Sequence, residues 1–395
     1  MSGGTDAYDV VIAGGGVIGS ACAYFLAAEP TFDGTIAVIE PDPTYSTAST
    51  SFSVGGIRRQ FSTEENILIS AYSWAFFEKI DQHLSVDGEV PYIGLVKSAY
   101  LFLATEAGVE GVRANHETQR RLGADVAVLS PSDLTARFPW MAVDDLAAGS
   151  LGLSGEGWVD PYGLLQAFRR KARSLGVTYV KDRVVGVRCE DRRVNAVVLE
   201  SGQEIASGWL VNAAGPRAAA VAAMAGIPLP VHPRKRMVFS FTCQDPPGPT
   251  PLVIDPTGMY FRPEGDGYIT GISPPPEADP DCLDHEVDYT WFEDRLWPLL
   301  ARRVPAFEAI RMTGAWAGHY AVNTLDGNAI LGPHPEIENL LFANGFSGHG
   351  IQQSPAVGRA TAEWIAFGVS RSLDLRRFGY DRIVSGSPVR ERAIV

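Results

Sequence analysis

The hydrophobic residues at the start of the chain form two short runs, at 9–13 and 35–39, separated by a segment of helical character. A glycine-rich turn follows the first run, and an acidic residue, Glu40, ends the second. Short apolar runs of this kind are typical of buried parallel strands, and a helix between two of them makes a βαβ unit. The first 40 residues therefore predict the beginning of a parallel α/β sheet.

Further along the chain, the spacing of apolar residues changes repeatedly between the periods of helices and strands. Helices are predicted at 64–82, 106–122, 130–138, 162–175 and 355–367, the last starting at the Ser354-Pro355 pair. Strands are predicted within 90–104, in a hairpin at 184–190 and 193–199, from 209 onward and at 340–343. The region 229–317 is rich in strand patterns and is interrupted by proline clusters, which suit surface loops.

The α/β patterns at both ends of the chain flank two β-rich segments, and this order predicts a discontinuous domain. Residues 1–90, 152–228 and 318–395 are expected to form a Rossmann-type α/β nucleotide-binding domain, completed only when the C-terminal part returns to it. Residues 91–151 and 229–317 are expected to form a second, substrate-binding domain. A chain of 395 residues is long enough for both.

The glycine turn after the first strand has the spacing of a dinucleotide-binding motif. Gly14 allows a tight turn, Gly16 lets the backbone approach a pyrophosphate, and Gly19 lets helix and strand pack closely. The helix that begins near Val17 and Ile18 offers free amides and the positive end of its dipole to phosphates. These residues are therefore predicted to bind a dinucleotide.

Glu40 lies about 20 residues beyond the last glycine, where an acidic side chain accepts hydrogen bonds from ribose hydroxyls. The motif alone is compatible with NAD, NADP or FAD. The sequence contains no second strand–GxGxxG–helix unit, whereas an enzyme that binds both FAD and a nicotinamide cofactor usually has two. This favours a flavoprotein that is reduced by a small substrate.

Composition and charge exclude several other classes of protein. The formal net charge is −13, and the densest basic cluster spans only 234–236, so a nucleic-acid partner is not expected. The four cysteines are far apart, which argues against a metal site or a disulfide framework and fits a reducing compartment. No apolar run is long enough to span a bilayer, and no signal peptide precedes the first strand. We therefore expect a cytoplasmic protein with no transmembrane segment.

Four segments, at 9–40, 49–62, 211–217 and 342–362, together resemble the D-amino-acid-oxidase-like flavoproteins, a family that includes sarcosine oxidase, glycine oxidase, dimethylglycine dehydrogenase and relatives of proline dehydrogenase. The most specific motif is the run at 344–350, Asn-Gly-Phe-Ser-Gly-His-Gly. The resemblance covers nearly the whole chain. It implies FAD, a Rossmann-type domain and an α+β substrate domain built on a mixed β-sheet.

The resemblance also assigns cofactor contacts outside the first glycine turn. In the family, the segment at 49–51 passes the pyrophosphate and the loop at 345–350 lies beside the isoalloxazine. The implied cofactor-binding residues are Ser49, Thr50, Ser51, Val184, Ala214, Gly215, Gly318, Gly345, Gly348, His349, Gly350, Ile351 and Gln352. Two alternatives stay open at this point: the hydroxyl residues at 49–51 cap a helix, and His349 is structural.

Five residues are candidates for the catalytic and substrate-binding site: Arg58, Tyr260, Arg262, Tyr320 and His349. A guanidinium group grips a carboxylate through two hydrogen bonds, so Arg58 or Arg262 would hold an amino or imino acid. Tyr260 and Arg262 are two residues apart on a predicted strand and so point to one face, although a pair at a surface edge is the alternative.

Departures from the family pattern bear on how FAD is held and what reoxidises it. No cysteine lies near His319, where sarcosine oxidases attach their flavin, so FAD is expected to be non-covalent. Ile269 and Gln352 stand near positions where those enzymes have lysines that assist the reaction with oxygen, which favours a dehydrogenase with an unknown electron acceptor. The expected reaction is oxidation of a CH–N bond to an imine. An FAD-containing assembly factor for a respiratory complex and a hydroxy-acid oxidoreductase are the alternatives.

Overall fold

The computed structural model describes residues 6–391, so the ends of the first predicted domain, 1–5 and 392–395, lie outside the described residues. The strands are β1 (Asp6–Ala13), β2 (Ile36–Ile39), β3 (Gly56–Ile57), β4 (Val96–Lys97), β5 (Tyr100–Ala104), β6 (Val126–Leu129), β7 (Ala148–Gly152), β8 (Gly157–Trp158), β9 (Thr178–Val180), β10 (Val184–Glu190), β11 (Arg193–Leu199), β12 (Glu204–Asn212), β13 (Val231–Cys243), β14 (Leu252–Ile254), β15 (Tyr260–Glu264), β16 (Gly267–Gly271), β17 (Ile310–Asn323), β18 (Ile330–Pro333) and β19 (Leu340–Asn344).

The α-helices are α1 (Val17–Ala27), α2 (Glu64–Phe77), α3 (Ile80–Leu84), α4 (Val109–Arg121), α5 (Pro131–Arg137), α6 (Pro161–Ser174), α7 (Ala218–Met224), α8 (Trp297–Arg303), α9 (Gly350–Phe367) and α10 (Asp381–Val384). Two N-termini follow sequence signals directly. Ser130 and Asp133 form a capping box at α5, and Asp160 caps α6 ahead of a proline in the first turn.

The first sheet has the order β10-β11-β12-β1-β2-β9, and β19 adds to β12 with β18 beside it. Its centre is parallel, because β1 pairs in parallel with both β12 and β2, and β19 pairs in parallel with β12. The last four residues of β1 are buried on both faces, as in a parallel sheet covered by helices. The buried residues of α1, α6 and α9 pack into one cluster on this sheet. The carboxyl ends of its strands therefore meet beside the glycine turn.

The second sheet has the order β17-β13-β16-β15-β14-β5-β7-β6 and is mixed, because β14 pairs in parallel with β5 while its other pairs are antiparallel. Its core includes Phe239, Phe241, Phe261 and Phe307, which are fully buried. The short strands β3, β8 and β4 form a third sheet. The predicted α/β class, with a Rossmann-type part and an α+β part on a mixed sheet, is confirmed.

The long strand β17 lies entirely in the second sheet and crosses the predicted domain boundary at 318. The division into domains stays a prediction, and the sheets show only that this boundary divides a continuous strand. Over residues 6–391, none of the helices has the length and apolar character needed to cross a membrane.

Three predicted elements need correction. The helix at 64–82 is two helices, α2 and α3, and the strand pattern at 90–104 forms only β4 and β5. The helix predicted from Ser354-Pro355 begins earlier, at Gly350, with Pro355 inside it. Proline leaves the carbonyl four residues earlier, Ile351, without its amide donor, but the Ser354 hydroxyl donates to that carbonyl at 2.9 Å. This substitution of one donor for another lets the helix continue through the proline.

Candidate functional site

The glycine turn after β1 is packed so closely that only glycine fits at two of its positions. Gly14 has φ +99°, and a Cβ there would lie 2.5 Å from the Ala213 carbonyl oxygen. A Cβ on Gly19 would lie 1.9 Å from the Gly14 carbonyl oxygen. This packing brings Gly16, Val17 and the first turn of α1 to the carboxyl end of β1, where helix amides are available to an anion.

Glu40 lies beside this turn, at the end of β2. Its Oε2 accepts a hydrogen bond from the Gly15 amide at 2.8 Å, and its Oε1 accepts one from the Asp42 amide at 3.0 Å. Burial raises the pKa of Glu40, and the two amides oppose that shift. A carboxylate has about four lone-pair positions, so both oxygens keep acceptor capacity for ribose hydroxyls.

The other residues predicted at the adenosine end surround the same turn. Val184 packs in a cluster with Ala13 and Ile39, and Ala214 is adjacent to this cluster. Gly215 has φ +53° and begins the turn into α7. Ile18 is buried at the start of α1. The fold thus brings together residues from β1, α1, β10 and the end of β12.

The hydroxyl residues at 49–51 lie against the start of α1. The Thr50 Oγ1 accepts a hydrogen bond from the Val17 amide at 3.2 Å, and the Ser51 hydroxyl donates to the Tyr45 carbonyl at 2.7 Å. The Ser49 hydroxyl is buried and has no hydrogen-bond partner within residues 6–391. None of the three caps the next helix, α2, whose N-cap is Thr63. A phosphate at the end of α1 would fit beside these hydroxyls.

The loop at 345–350 joins β19 to α9 and has an unusual backbone. Gly345, Ser347 and Gly348 all have positive φ angles, of +71°, +49° and +99°. A Cβ on Gly348 would lie 2.4 Å from the Tyr320 ring. The loop is continuous with Gly350 and Ile351 at the start of α9, so it presents both backbone and a helix N-terminus to the neighbouring cavity.

The cavity beside this loop has a volume of about 800 Å³, which includes space open to solvent, and it lies between the second sheet, the 53–58 segment and the start of α9. Side chains of a β-strand point alternately to its two faces, so residues two apart on β17, such as Gly318 and Tyr320, share a face. Tyr320 lines the cavity, and Gly318 faces the 49–54 segment, where a Cβ would lie 2.6 Å from the Phe52 Cβ. The titratable and cationic side chains of the lining are Arg58, Tyr100, Arg236, Tyr260, Tyr320 and His349.

Arg58 is buried at the cavity wall and fixed by several contacts. Its backbone amide donates to the Gln352 Oε1 at 2.8 Å, its Nη1 donates to the Gln60 carbonyl, and its guanidinium carbon lies 3.8 Å from the centre of the Phe61 ring. Its Nη2 lies 3.1 Å from the Nε2 of His349. These contacts hold the guanidinium in one orientation, which is required for two-point binding of a carboxylate.

His349 is half-buried, and burial together with the adjacent Arg58 guanidinium lowers its pKa to about 3. Arginine can only donate, so His349 Nε2 accepts and the proton of the neutral ring is on Nδ1. His349 is therefore neutral at ordinary pH. It orients Arg58 and presents its ring at the cavity.

Arg262 is placed differently from the expectation, and two further residues, His319 and Ile269, also lie outside the cavity lining. Arg262 does not line the cavity, because its guanidinium is paired with Glu264 and donates to the Pro263 and Val54 carbonyls. His319 faces away from Tyr320, and its Nε2 donates to the Asp284 carbonyl at 2.7 Å. Ile269 is buried in β16 and also lies outside the cavity lining.

The sequence reading missed two cavity residues, Tyr100 and Arg236. Tyr100 starts β5, and Arg236 is bound through both Nη atoms to the Asp279 carboxylate, at 2.7 and 2.8 Å. Arg236 belongs to the 234–236 basic cluster, whose composition alone does not indicate a place in the cavity. Its alternation with Arg234 along a strand is the signal that could have suggested a buried role.

A Rossmann-type glycine turn with its acidic residue, and a distant glycine loop beside a cavity with cationic and phenolic side chains, are the features expected of a flavin-dependent oxidoreductase. The close approach at Gly14, Gly19 and Gly348, and a Ser49 hydroxyl that has no partner within residues 6–391, are compatible with an extended dinucleotide. The profile of the DAO family, described as FAD dependent oxidoreductase, matches residues 9–364, and the chain belongs to this family. Its cofactor is FAD.

The chain is similar to relatives along almost its full length. It is 43% identical to the FAD-dependent oxidoreductase domain-containing protein 1 of Xenopus laevis, over 98% of this chain and 85% of that protein. Among solved structures, L-proline dehydrogenase from P. horikoshii has a TM-score of 0.85 at 26% identity, covering 98% of this chain and 100% of that one. Glycine oxidase from Geobacillus kaustophilus has a TM-score of 0.80 at 25% identity, covering 95% and 98%.

Proposed function

We propose that this FAD-dependent oxidoreductase oxidises the CH–N bond of an amino acid or N-alkyl amino acid to an imine. The observation that carries the proposal is the buried, oriented Arg58 in the same cavity as Tyr260, Tyr320 and the loop at 345–350. FAD, when bound, supplies the acceptor for the hydride of the substrate. The names of the similar structures, a proline dehydrogenase and a glycine oxidase, support an amino-acid substrate.

The cavity residues suit a substrate carboxylate better than a neutral group. Burial raises the pKa values of Tyr260 and Tyr320 above the usual range, so both phenols stay protonated and donate hydrogen bonds. Neither hydroxyl has a hydrogen-bond partner among the residues that the structure describes. Two O–H donors and a guanidinium group together match the acceptor oxygens of one carboxylate.

The cavity also supports the preference for a dehydrogenase with non-covalent FAD. The part of the lining that belongs to residues 6–391 contains no lysine, the cation expected in the oxygen-reactive relatives. The cysteines lie elsewhere, in α1, in β10, at the end of β13 and at 282, and none of them lines the cavity. Denaturation with acid should therefore release all the flavin from the protein.

An anaerobic titration of the holoprotein with a panel of amino and N-methyl amino acids tests the proposed reaction. We expect at least one of them to bleach the flavin absorbance, and matched hydroxy acids to leave it unchanged. Bleaching by hydroxy acids alone would replace the CH–N reaction by hydroxy-acid oxidation. Stoichiometric FAD with no bleaching by any compound would favour the assembly-factor alternative. Rapid return of colour on admission of air would overturn the preference for a dehydrogenase.

A further inference from the structure

Tyr100 places a third phenol in the cavity beside Tyr260 and Tyr320. Its side chain is only 6% exposed, and its hydroxyl has no hydrogen-bond partner among residues 6–391. Tyr100 lines the cavity, so its hydroxyl is available to donate a hydrogen bond to a ligand there. Tyr100 lies on β5, on the opposite side of β14 from Tyr260 on β15, so it approaches the cavity from a different strand.

The surrounding backbone makes specific room for this hydroxyl. Gly56, in β3, also lines the cavity, and a Cβ at this position would lie 1.9 Å from the Tyr100 hydroxyl oxygen. The next atom of the ring, Cζ, would be 3.3 Å away, and no positive φ requires glycine here. The space at Gly56 is therefore occupied by the oxygen of Tyr100 and not by its ring.

A buried polar network holds the Tyr100 backbone from both sides. The Tyr100 amide donates to the Glu156 Oε2 at 3.2 Å, and the Gln60 side-chain amide donates to the Tyr100 carbonyl at 3.1 Å. Gln60 also donates to the Glu156 Oε2 at 3.0 Å and accepts from the Ser150 hydroxyl at 2.7 Å. In the same network, the Arg59 amide donates to the Glu156 Oε1 at 2.7 Å. Glu156 therefore ties the segment that carries Arg58 to the strand that carries Tyr100.

We propose that Tyr100 is a further substrate-binding residue, whose hydroxyl donates to the substrate carboxylate held by Arg58, and that Glu156 is its positioning residue. This inference rests on one part of the proposed function, namely that the substrate has a carboxylate. It does not depend on which bond of the substrate is oxidised. Burial raises the pKa of Tyr100 above its usual range, against the opposing influence of the Arg58 guanidinium, so the phenol remains a donor. The cavity then closes on the carboxylate with donors from β5, β15 and β17 and from the segment after β3.

The test is the binding of propionate, a carboxylate that has no amine to oxidise, to the FAD-loaded protein. Binding is followed by the shift in the flavin absorbance bands. We expect Tyr100→Phe to raise the Kd for propionate about tenfold, the loss of one hydrogen bond to a charged group, with unchanged FAD content. Tyr162→Phe, at an exposed position on α6, is the matched control and should leave the Kd unchanged. A Kd unchanged in Tyr100→Phe, or no saturable binding to the wild-type protein, overturns the proposal.

The Gly56→Ala variant tests whether the hydroxyl of Tyr100, and not its ring, contributes to ligand binding. The added methyl group should displace the Tyr100 hydroxyl and raise the Kd by a similar factor in the wild-type background. It should have almost no effect in the Tyr100→Phe background, because the clashing oxygen is absent. Equal effects of Gly56→Ala in both backgrounds would show that the methyl group acts on the ligand or the flavin, and would overturn the role of the hydroxyl.

Glu156→Gln tests the positioning role by a double-mutant cycle. If Glu156 acts through Tyr100, the double variant should bind propionate no more weakly than Tyr100→Phe alone, although the single Glu156→Gln variant is weakened. Additive effects on the Kd, at unchanged FAD content, would assign Glu156 a general structural role. A failure of the proposed function can be distinguished from a failure of this inference. If no amino acid bleaches the flavin, the propionate measurements remain valid.

Discussion

Backbone atoms line the glycine turn after β1, whereas side chains from separated parts of the chain line the cavity beside 345–350. At the turn, Gly14 and Gly19 approach the Ala213 and Gly14 carbonyl oxygens so closely that a methyl group is excluded. In the cavity, Arg58, Tyr100 and Tyr320 come from β3 and its following segment, from β5 and from β17. On the proposed function, the first region would recognise the cofactor by shape, and the second would recognise the substrate by the placement of polar groups.

This difference implies different sensitivities to substitution. A binding site made of closely packed backbone atoms, here called the backbone cradle, has no room for an added atom. The carbonyl groups around it cannot move without shifting β1 or β12. A side-chain cavity loses affinity group by group, and the loss for each group depends on its charge and number of hydrogen bonds. Substitutions at the turn should therefore remove the cofactor, and those in the cavity should weaken the ligand while FAD stays bound.

The largest effect is expected for Gly19→Ala. Its methyl carbon would lie 1.9 Å from the Gly14 carbonyl oxygen, so α1 must move away from β1 and the amide end of the helix is displaced. We expect purified protein with almost no flavin, measured as the ratio of absorbance at the flavin band to that of the protein. Gly111→Ala, in α4, is the control, because a Cβ there meets nothing within 4 Å. Full FAD content in Gly19→Ala would contradict the close-packing argument.

A smaller effect is expected for Arg58→Met, which keeps the length of the side chain and removes its charge. Loss of two-point carboxylate binding should raise the Kd for propionate about a hundredfold, while FAD remains bound. Arg262→Lys is the comparison variant, since Arg262 pairs with Glu264 outside the cavity lining. It should leave the Kd within about twofold. Equal losses in the two variants would show that Arg262, too, contributes to the ligand site.

The two regions also differed in how well they could be predicted from the sequence. The strand, glycine turn, helix and Glu40 are neighbours in the chain, so their spacing alone predicted a parallel sheet that the structure confirms. The position of Arg262 outside the cavity lining could not be predicted, because a two-residue spacing predicts a shared face but not the partner of the side chain, which is Glu264. Tyr100 was missed because its role depends on Gly56 and Glu156, which are distant in sequence. Non-local packing of this kind leaves no periodic signal.

The lowered pKa of His349 should make the free energy of unfolding of the protein depend on pH. Its native pKa is about 3, whereas the unfolded chain has the ordinary value of 6.5. Between these values the unfolded state binds a proton that the native state does not, so stability falls as pH is lowered through this window. We expect His349→Gln, which keeps an acceptor for Arg58, to lose less stability than the wild-type protein between pH 7.5 and pH 5, by about 2 kcal/mol. Denaturant unfolding at the two pH values measures the difference, and equal losses in the two proteins would contradict a neutral His349 in the native state.

The smallest effect is expected where the two regions meet, at the hydrogen bond from the Val17 amide to the Thr50 Oγ1. Thr50→Val keeps the shape and removes the acceptor, which should lower the stability of the FAD-free protein by about 1 kcal/mol, as for the loss of a helix cap. With FAD bound, a phosphate oxygen at the end of α1 can accept from the same amide, so the loss should be smaller. Thr50→Ser, which retains the acceptor, is the control in both states. A loss of equal size with and without FAD would mean that the first turn of α1 does not contact the cofactor, and that the backbone cradle ends before Val17.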